Sequence, residues 1–277
     1  MEKITPLLTL DSKLFAKAEF LNPTGSIKDR PARQILASVP PGGTVIEATS
    51  GNFGIALAAL CKERGLGCVL VMPDSMTRER QEMLMTLGAR VALTPGSLGM
   101  TGSLEKAKAL AEEIPGSFLT GQFVNPNNPL AHYESTGPEI WAQTEGQVEV
   151  FVAGVGTGGT LSGVARYLRE QNPNIQIVAV EPACSPLLSQ GRAGNHQIQG
   201  IGANFYPPLL KDVQMNQVVA ISDADAFSTA KSLNRMGIPA GISAGANVHA
   251  AWIFAKQGLH TVTILPDHKN RYASLGL

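Results

Sequence analysis

Short apolar runs alternate with longer segments of helical periodicity from residue 43 onward. The apolar runs are rich in β-branched residues and predict buried strands at 44–48, 67–73, 89–93, 148–155, 175–182, 216–221 and 261–267. The segments between them repeat apolar residues at helical spacing, and several end in glycine, as helices often do. Buried strands separated by helices predict an α/β fold with mostly parallel sheets and helices on both faces.

A loop-rich passage at residues 121–139 interrupts this alternation. We expect it to separate two α/β domains, residues 1–126 and 127–277, with about the first 20 residues crossing to the second domain. The segment 183–215 is rich in Gly, Pro and Asn and predicts a long loop with a function, since compact domains rarely contain such a loop without one.

The composition is typical of a globular enzyme that acts on small molecules. Of 277 residues, 44% are hydrophobic, and 22 basic side chains balance 22 acidic ones. The chain therefore has no general attraction for nucleic acid or an anionic membrane. The N-terminus lacks the pattern of a secretion signal, no apolar run approaches the ~20 residues that span a bilayer, and the three cysteines fit reduced, buried thiols. These features favour a cytoplasmic location.

The strongest local signal is GVGTGGT at residues 154–160, between a predicted strand and a predicted helix. Unhindered backbone N–H groups and a helix N-terminus at one point predict a phosphate-binding loop. Two alternatives stay open. The loop could be a tight turn without a ligand, or a nicotinamide site, because Gly154, Gly156 and Gly159 fit G-x-G-x-x-G and Glu181 ends the next strand.

A second strand-to-helix loop is EATSGNFG, residues 47–54. Thr49, Ser50 and Asn52 would form a polar cradle suited to a carboxylate. Read alone, Ser50 is more typical of a helix N-cap than of a ligand-binding residue.

Two further segments add a serine and a lysine. Ser243 lies in GISAGAN, residues 241–247, where local sequence again favours capping over ligand binding. Lys28 follows two turn-forming pairs in NPTGSIKDR, residues 22–30, although a single lysine is usually a solvated surface residue. Together, a lysine, a phosphate loop and a carboxylate cradle are what an enzyme needs to hold pyridoxal phosphate and an amino acid.

Six segments, in order along nearly the whole chain, carry a family resemblance. They are KAEFLNPTGSIKDR, EATSGNFGIALA, QFVNPNNPLAHYESTGPEIW, GVGTGGTLSGVARYL, HQIQGIGANF and GISAGAN. With these segments the chain resembles the cysteine synthase (O-acetylserine sulfhydrylase) family of fold type II pyridoxal-phosphate enzymes. The resemblance implies a tryptophan synthase β-like architecture of two three-layer α/β domains. It also implies β-replacement that forms L-cysteine from O-acetyl-L-serine and sulfide through an aminoacrylate intermediate.

The resemblance also implies roles for individual residues. Lys28 would form the Schiff base and carry the proton of the substrate α-carbon, and Ser243 would face the pyridine nitrogen. The implied cofactor-binding residues are Lys28, Asn52, Gly156, Thr157, Gly158, Gly159, Thr160 and Ser243. The implied substrate-binding residues are Thr49, Ser50, Gly51, Asn52, Phe53, Gln122, Gly202 and Asn204. No metal site is expected, because the five histidines lack metal-ligand spacing.

The chain departs from the family pattern at three places. Phe53 stands where threonine is usual, so a hydroxyl for the substrate carboxylate is missing. Asn204 stands where glycine is common, and it could contact the substrate or lie in a left-handed surface turn. His268 and Lys269 replace a more usual Ser-Gly near the C-terminus.

The resemblance further implies a cytoplasmic homodimer in cysteine biosynthesis, with small-molecule substrates and serine acetyltransferase as a candidate protein partner. Neither nucleic acid nor a membrane is an expected partner. Alternatives with the same cofactor are a cystathionine-forming enzyme, a cysteine desulfhydrase and a synthase with another activated serine donor. Alternatives of other classes are the nicotinamide-dependent oxidoreductase and a non-catalytic relative that binds an amino acid or a partner enzyme.

Overall fold

The computed structural model describes residues 4–277. Within that span the chain forms two compact units, of which the larger combines the N-terminal segment up to Ile27 with Asn128–Leu277, and the smaller is Lys28–Asn127. Each unit contains helices and a mostly parallel sheet, which confirms the predicted α/β class. The domain boundary expected after residue 126 stays a prediction.

The secondary-structure elements follow in chain order. Across residues 4–277 the strands are β1 (Leu7–Asp11), β2 (Leu14–Ala18), β3 (Thr44–Ala48), β4 (Gly67–Pro73), β5 (Arg90–Thr94), β6 (Ser117–Leu119), β7 (Val150–Gly154), β8 (Gln176–Pro182), β9 (Gln217–Ile221) and β10 (Thr261–Leu265). The α-helices of the same span are α1 (Asp29–Leu36), α2 (Asn52–Arg64), α3 (Arg78–Thr86), α4 (Gly99–Glu113), α5 (Asn127–Ala131), α6 (Gly137–Gln143), α7 (Gly159–Gln171), α8 (Leu187–Gln190), α9 (Asp223–Arg235) and α10 (Ile242–Ala255).

The larger unit is built on a sheet with the order β1-β2-β10-β7-β8-β9. Its strands pair in parallel except for β1, which is antiparallel to β2. Strand β7 shows how the sheet is buried on both faces: Val150 and Val152 belong to one apolar cluster, whereas Phe151 and Ala153 belong to another. Because neighbouring strand residues point to opposite faces, such a strand is apolar at every position.

The smaller unit is built on a parallel sheet with the order β5-β4-β3-β6. Val45 of β3 joins an apolar cluster on one face, and Ile46 joins a cluster on the other. In both units the loops after these buried strands therefore begin at the carboxyl edge of a parallel sheet, where ligands of α/β proteins bind.

Several elements differ from the sequence-based expectation. Strands β1, β2 and β6 were not predicted, and the passage 121–139 contains α5, a π-helical turn at His132–Thr136 and the start of α6. Pro129 fits within the first turn of α5, because N–H groups there have no partner in the helix. Cys61 and Cys68 are buried as expected, but Cys184 is exposed, so the expectation was wrong for that residue. Over residues 4–277 no helix is both long and apolar enough to cross a bilayer.

Candidate cofactor and substrate site

The glycine-rich loop lies between β7 and α7 of the larger unit. Gly158 has a φ of 86°, a left-handed conformation that glycine adopts without strain. A Cβ at Gly156 would lie 2.3 Å from the carbonyl oxygen of Gly200, and one at Gly159 would lie 2.0 Å from Oδ1 of Asn128. The backbone therefore lies closer to its surroundings than any side chain permits.

Two residues that the sequence did not single out support this loop. Nδ2 of Asn128 donates to Oγ1 of Thr157 at 3.0 Å, and that oxygen also accepts from the N–H of Gly159 at 3.4 Å. His132 lies on the π-helical turn, with its Nε2 3.2 Å from Oγ1 of Thr160. The contacts link residues about 30 positions apart, so no local pattern in the sequence indicates them.

The remaining residues predicted for the larger unit lie on separate elements. Ser243 is buried in the first turn of α10, and the N–H of Gly202 donates to Val155 at 2.9 Å, next to the glycine-rich loop. Asn204 is exposed. The left-handed turn considered for Asn204 is absent, because Glu145 is the only non-glycine residue with positive φ in the described chain.

The chain that leads to Lys28 is anchored by the C-terminal segment of the same unit. The N–H of Ile27 donates to Pro266 at 2.8 Å, and the N–H of His268 donates to Gly25 at 3.1 Å. The ring of His268 lies edge-on to that of Phe20, with 6.2 Å between centroids. The His268 departure from the family pattern therefore lies against the turn that precedes Lys28.

Lys28 begins the smaller unit, as the residue before the first turn of α1. Desolvation lowers the pKa of its ammonium from 10.5 to about 8, and the negative charge of Glu47 opposes this shift. A lysine with such a pKa carries a substantial neutral fraction near neutral pH, as a nucleophile or a base requires.

The loop of residues 49–51 connects β3 to α2. The N–H of Thr49 donates to Val71 at 3.0 Å, and the N–H of Gly51 donates to Oγ1 of Thr49 at 3.3 Å. Nη1 of Arg80 donates to the carbonyl oxygen of Ser50 at 2.8 Å, a contact that the sequence did not indicate. Asn52 opens α2, and the N-terminus of a helix of this length favours an anion.

The Phe53 side chain does not face a ligand, because it is only 2% exposed and belongs to the apolar cluster of Ile35, Leu57 and Leu70. Phe53 can therefore contribute only backbone groups to a carboxylate site. Where the family usually has a threonine hydroxyl, the Phe53 ring packs into the apolar core of the smaller unit, and this packing accommodates the departure from threonine.

Gln122 lies in a buried network centred on Glu47, the fourth residue of β3. One carboxylate oxygen of Glu47 accepts from Oγ1 of Thr120 and, at 2.9 Å, from the N–H of Gly121. The other accepts from Nε2 of Gln122 at 3.3 Å. Burial raises the pKa of Glu47 from 4.5 to about 7, although the hydrogen bonds lower it.

The local capping interpretations of both serines were wrong. The N-cap of α2 is Gly51 and that of α10 is Gly241, and neither helix has a side-chain cap. Glu181 has a structural task instead of a ribose contact: its carboxylate accepts from the N–H of Leu188 at 2.7 Å and from the N–H of Ser189 at 3.2 Å, at the start of α8.

Each unit, taken by itself, contains residues that fit one part of pyridoxal phosphate. Close backbone approach at Gly156 and Gly159, two threonine hydroxyls and the N-terminus of α7 suit its phosphate. The lowered pKa of Lys28 favours a neutral amine, which is the form that reacts with the aldehyde of the cofactor. In the part of the chain that the structure describes, no group of three or more His, Cys, Asp or Glu side chains is placed to hold a metal.

Comparisons with known proteins agree with this fit. The family model described as "Pyridoxal-phosphate dependent enzyme" matches residues 1–264. Cysteine synthase B of Campylobacter jejuni is 45% identical over 99% of this chain and 95% of its own length. A cysteine synthase of Staphylococcus aureus is 44% identical over 95% of this chain and 88% of its own length.

Similarity to solved structures extends over the whole fold. The O-acetylserine-dependent cystathionine beta-synthase of Helicobacter pylori matches with a TM-score of 0.92 and 38% identity, covering 98% of this chain and 95% of its own. These comparisons confirm the family resemblance and the predicted cofactor, and they give no support to the nicotinamide alternative. The chain belongs to the family of pyridoxal-phosphate-dependent enzymes.

Proposed function

We propose that the protein is a cysteine synthase, which forms L-cysteine from O-acetyl-L-serine and sulfide by β-replacement. The observation that carries the proposal is Lys28, a lysine whose pKa desolvation lowers, in a unit that also contains the polar loop of residues 49–52. The similarity to cysteine synthases over nearly the whole chain supports the choice of reaction within the family.

The state of Lys28 suits two tasks. With a pKa of about 8 instead of 10.5, roughly 300-fold more of the lysine is neutral at pH 7 than for an ordinary side chain. The neutral amine can attack an aldehyde, and once released it can take the proton from the substrate α-carbon and later return it.

Pyridoxal phosphate, when bound, supplies an aldehyde for the amine and a ring that withdraws electrons from the α-carbon. Residues 156–160 would bind its phosphate and Asn52 its ring hydroxyl. Ser243 would offer the pyridine nitrogen a neutral hydroxyl from the first turn of α10. A neutral partner at the positive end of a helix disfavours protonation of that nitrogen, which suits loss of a β-substituent.

The substrate carboxylate would bind to the start of α2 and to nearby side chains. We assign this role to Thr49, Ser50, Gly51, Asn52, the backbone of Phe53, and Gln122. Gly202 and Asn204 are assigned to the distal end of the substrate or to the incoming nucleophile.

The cellular setting is also part of the proposal. We place the enzyme in the cytoplasm as a homodimer in cysteine biosynthesis, with serine acetyltransferase as the candidate partner protein. These assignments rest on the family resemblance alone. Light scattering of the purified protein tests the dimer, with a mass of twice 29.2 kDa expected and a mass of 29.2 kDa contradicting it.

A cystathionine-forming reaction from the same donor is the second candidate. The similarity to the O-acetylserine-dependent cystathionine beta-synthase favours it, and the exposed Asn204 adds a polar side chain where the family commonly has glycine.

Product analysis separates the two reactions. The loaded enzyme is incubated with O-acetylserine and either sulfide or homocysteine, with Lys28→Ala as the control, and the products are identified by mass spectrometry. We expect cysteine and acetate in equal amounts as the faster reaction. Faster formation of cystathionine, or sulfide release from cysteine as the main reaction, would contradict the proposal.

A further inference from the structure

Glu47 is a buried acid to which the proposed reaction assigns no task. It is 2% exposed, and its carboxylate accepts hydrogen bonds from Thr120, Gly121 and Gln122, more than 70 residues along the chain. Its negative charge raises the pKa of Lys28, against the larger effect of desolvation. A buried carboxylate is costly, and stability alone is a weak reason to keep one where an uncharged side chain could pack.

The hydrogen bonds of Glu47 fix the orientation of Gln122. The amide group of glutamine is planar, and its nitrogen carries two N–H bonds that point in different directions. When Nε2 of Gln122 donates one N–H to Oε1 of Glu47, the direction of the other N–H is set as well. The bonds from Thr120 and Gly121 hold the other oxygen of Glu47, so the carboxylate cannot rotate freely.

The position of Glu47 in the chain joins this network to the predicted substrate loop. Glu47 is the fourth residue of β3, and Thr49 follows it by two positions. The carboxylate therefore connects the strand that carries the loop of residues 49–51 to the turn that carries Gln122. Both segments belong to the smaller unit.

We propose that Glu47 is a positioning residue that orients Gln122 to donate to the α-carboxylate of the amino-acid substrate. This inference rests on the proposed function, because Gln122 is taken as a substrate-binding residue. It assigns Glu47 no proton transfer and no direct contact with the substrate.

The test measures binding of two ligands to the enzyme with pyridoxal phosphate bound, at pH 8. L-Alanine has a carboxylate and no β-leaving group, whereas L-alaninamide has the same side chain and lacks the carboxylate. Dissociation constants are read from the change in visible absorption. The variants are Glu47→Gln, Gln122→Ala and the double variant. Glu181→Gln is the matched control, a buried acid with several hydrogen bonds in the other unit.

We expect Glu47→Gln to weaken the binding of L-alanine roughly tenfold or more, as the loss of a hydrogen bond to a charged group does. L-Alaninamide should bind as it does to the wild type. The double variant should be no weaker than Gln122→Ala alone, because Glu47 acts through Gln122. Unchanged L-alanine binding, an equal loss for both ligands, or additive effects of the two substitutions would overturn the proposal.

Thr120→Val provides the same comparison without a change of charge, should Glu47→Gln fail to fold. It removes the hydroxyl that donates to Glu47, so L-alanine binding should weaken and L-alaninamide binding should not. No difference between the ligands would again overturn the inference. A wild-type protein that does not bind L-alanine would instead count against the proposed function.

Discussion

The substitution Gly159→Ala tests whether stability and cofactor binding need the close approach of the Gly159 backbone to Asn128 at the start of α7. In a helix, alanine is usually more stable than glycine by about 0.5–1 kcal/mol. Here the added methyl group would lie 2.0 Å from Oδ1 and 2.5 Å from Cγ of Asn128. Overpacking of this kind costs about 1–3 kcal/mol, so after the gain in helix propensity we expect a net loss of stability of up to about 2.5 kcal/mol.

Cofactor affinity should fall as well, because Asn128 also holds the hydroxyl of Thr157. We expect cofactor affinity to fall about tenfold, which corresponds to about 1.4 kcal/mol of binding free energy. The assay is titration of the cofactor-free protein with pyridoxal phosphate, followed by visible absorption, together with thermal unfolding of each variant.

A second substitution provides the control for this experiment. Asn128→Ala removes the atoms that clash with the new methyl group, so the double variant should be no less stable and bind cofactor no worse than Asn128→Ala alone. The reasoning would be refuted if the Gly159→Ala variant were as stable as the wild type and bound the cofactor equally well.

Three further predictions concern the smaller unit. In the cofactor-free protein, unfolded Lys28 keeps its proton up to pH 10.5 whereas folded Lys28 loses it near pH 8, so Lys28 should contribute a rise in the free energy of unfolding over this interval, and this contribution should be missing in Lys28→Met. Folded Glu47 keeps its proton up to about pH 7 whereas unfolded Glu47 loses it near pH 4.5, so stability should fall over that interval, and less so in Glu47→Gln. Both are measured by urea unfolding across pH, and equal slopes in wild type and variant would contradict them. Arg80→Ala should raise KM for O-acetylserine about 3- to 10-fold, because the hydrogen bond to the carbonyl oxygen of Ser50 is lost. The control Arg78→Ala removes an exposed arginine and should leave KM unchanged. Equal KM values for the two variants would contradict this prediction.

The sequence predicts most of the sheet, because β3, β4, β7, β8 and β10 are buried on both faces and are therefore mostly apolar. Strand β6 has only three residues, too few for a recognisable pattern. Strands β1 and β2 lie outside the alternation of strands and helices, and they pair antiparallel. Helices α5 and α6 contain Pro129 and Gly137, which in isolation indicate loops.

Residue types alone, without the family resemblance, indicate a candidate site only where the residues are consecutive. The segments 49–53 and 156–160 each form one loop, so their residue types indicate an anion site. Glu47, Asn128 and His132 were missed because their partners are 28 to 75 residues away. Propensity also misled at Ser50 and Ser243, since glycine occupies both N-cap positions.

The most direct test of the account is to locate the covalent attachment of the cofactor. The protein with pyridoxal phosphate bound is reduced with borohydride, digested with a protease and analysed by mass spectrometry. We predict a single modified peptide with the pyridoxyl group on Lys28, and no modified peptide from Lys28→Ala. A pyridoxyl group on another lysine of the wild-type chain, or on none, would contradict the central role assigned to Lys28.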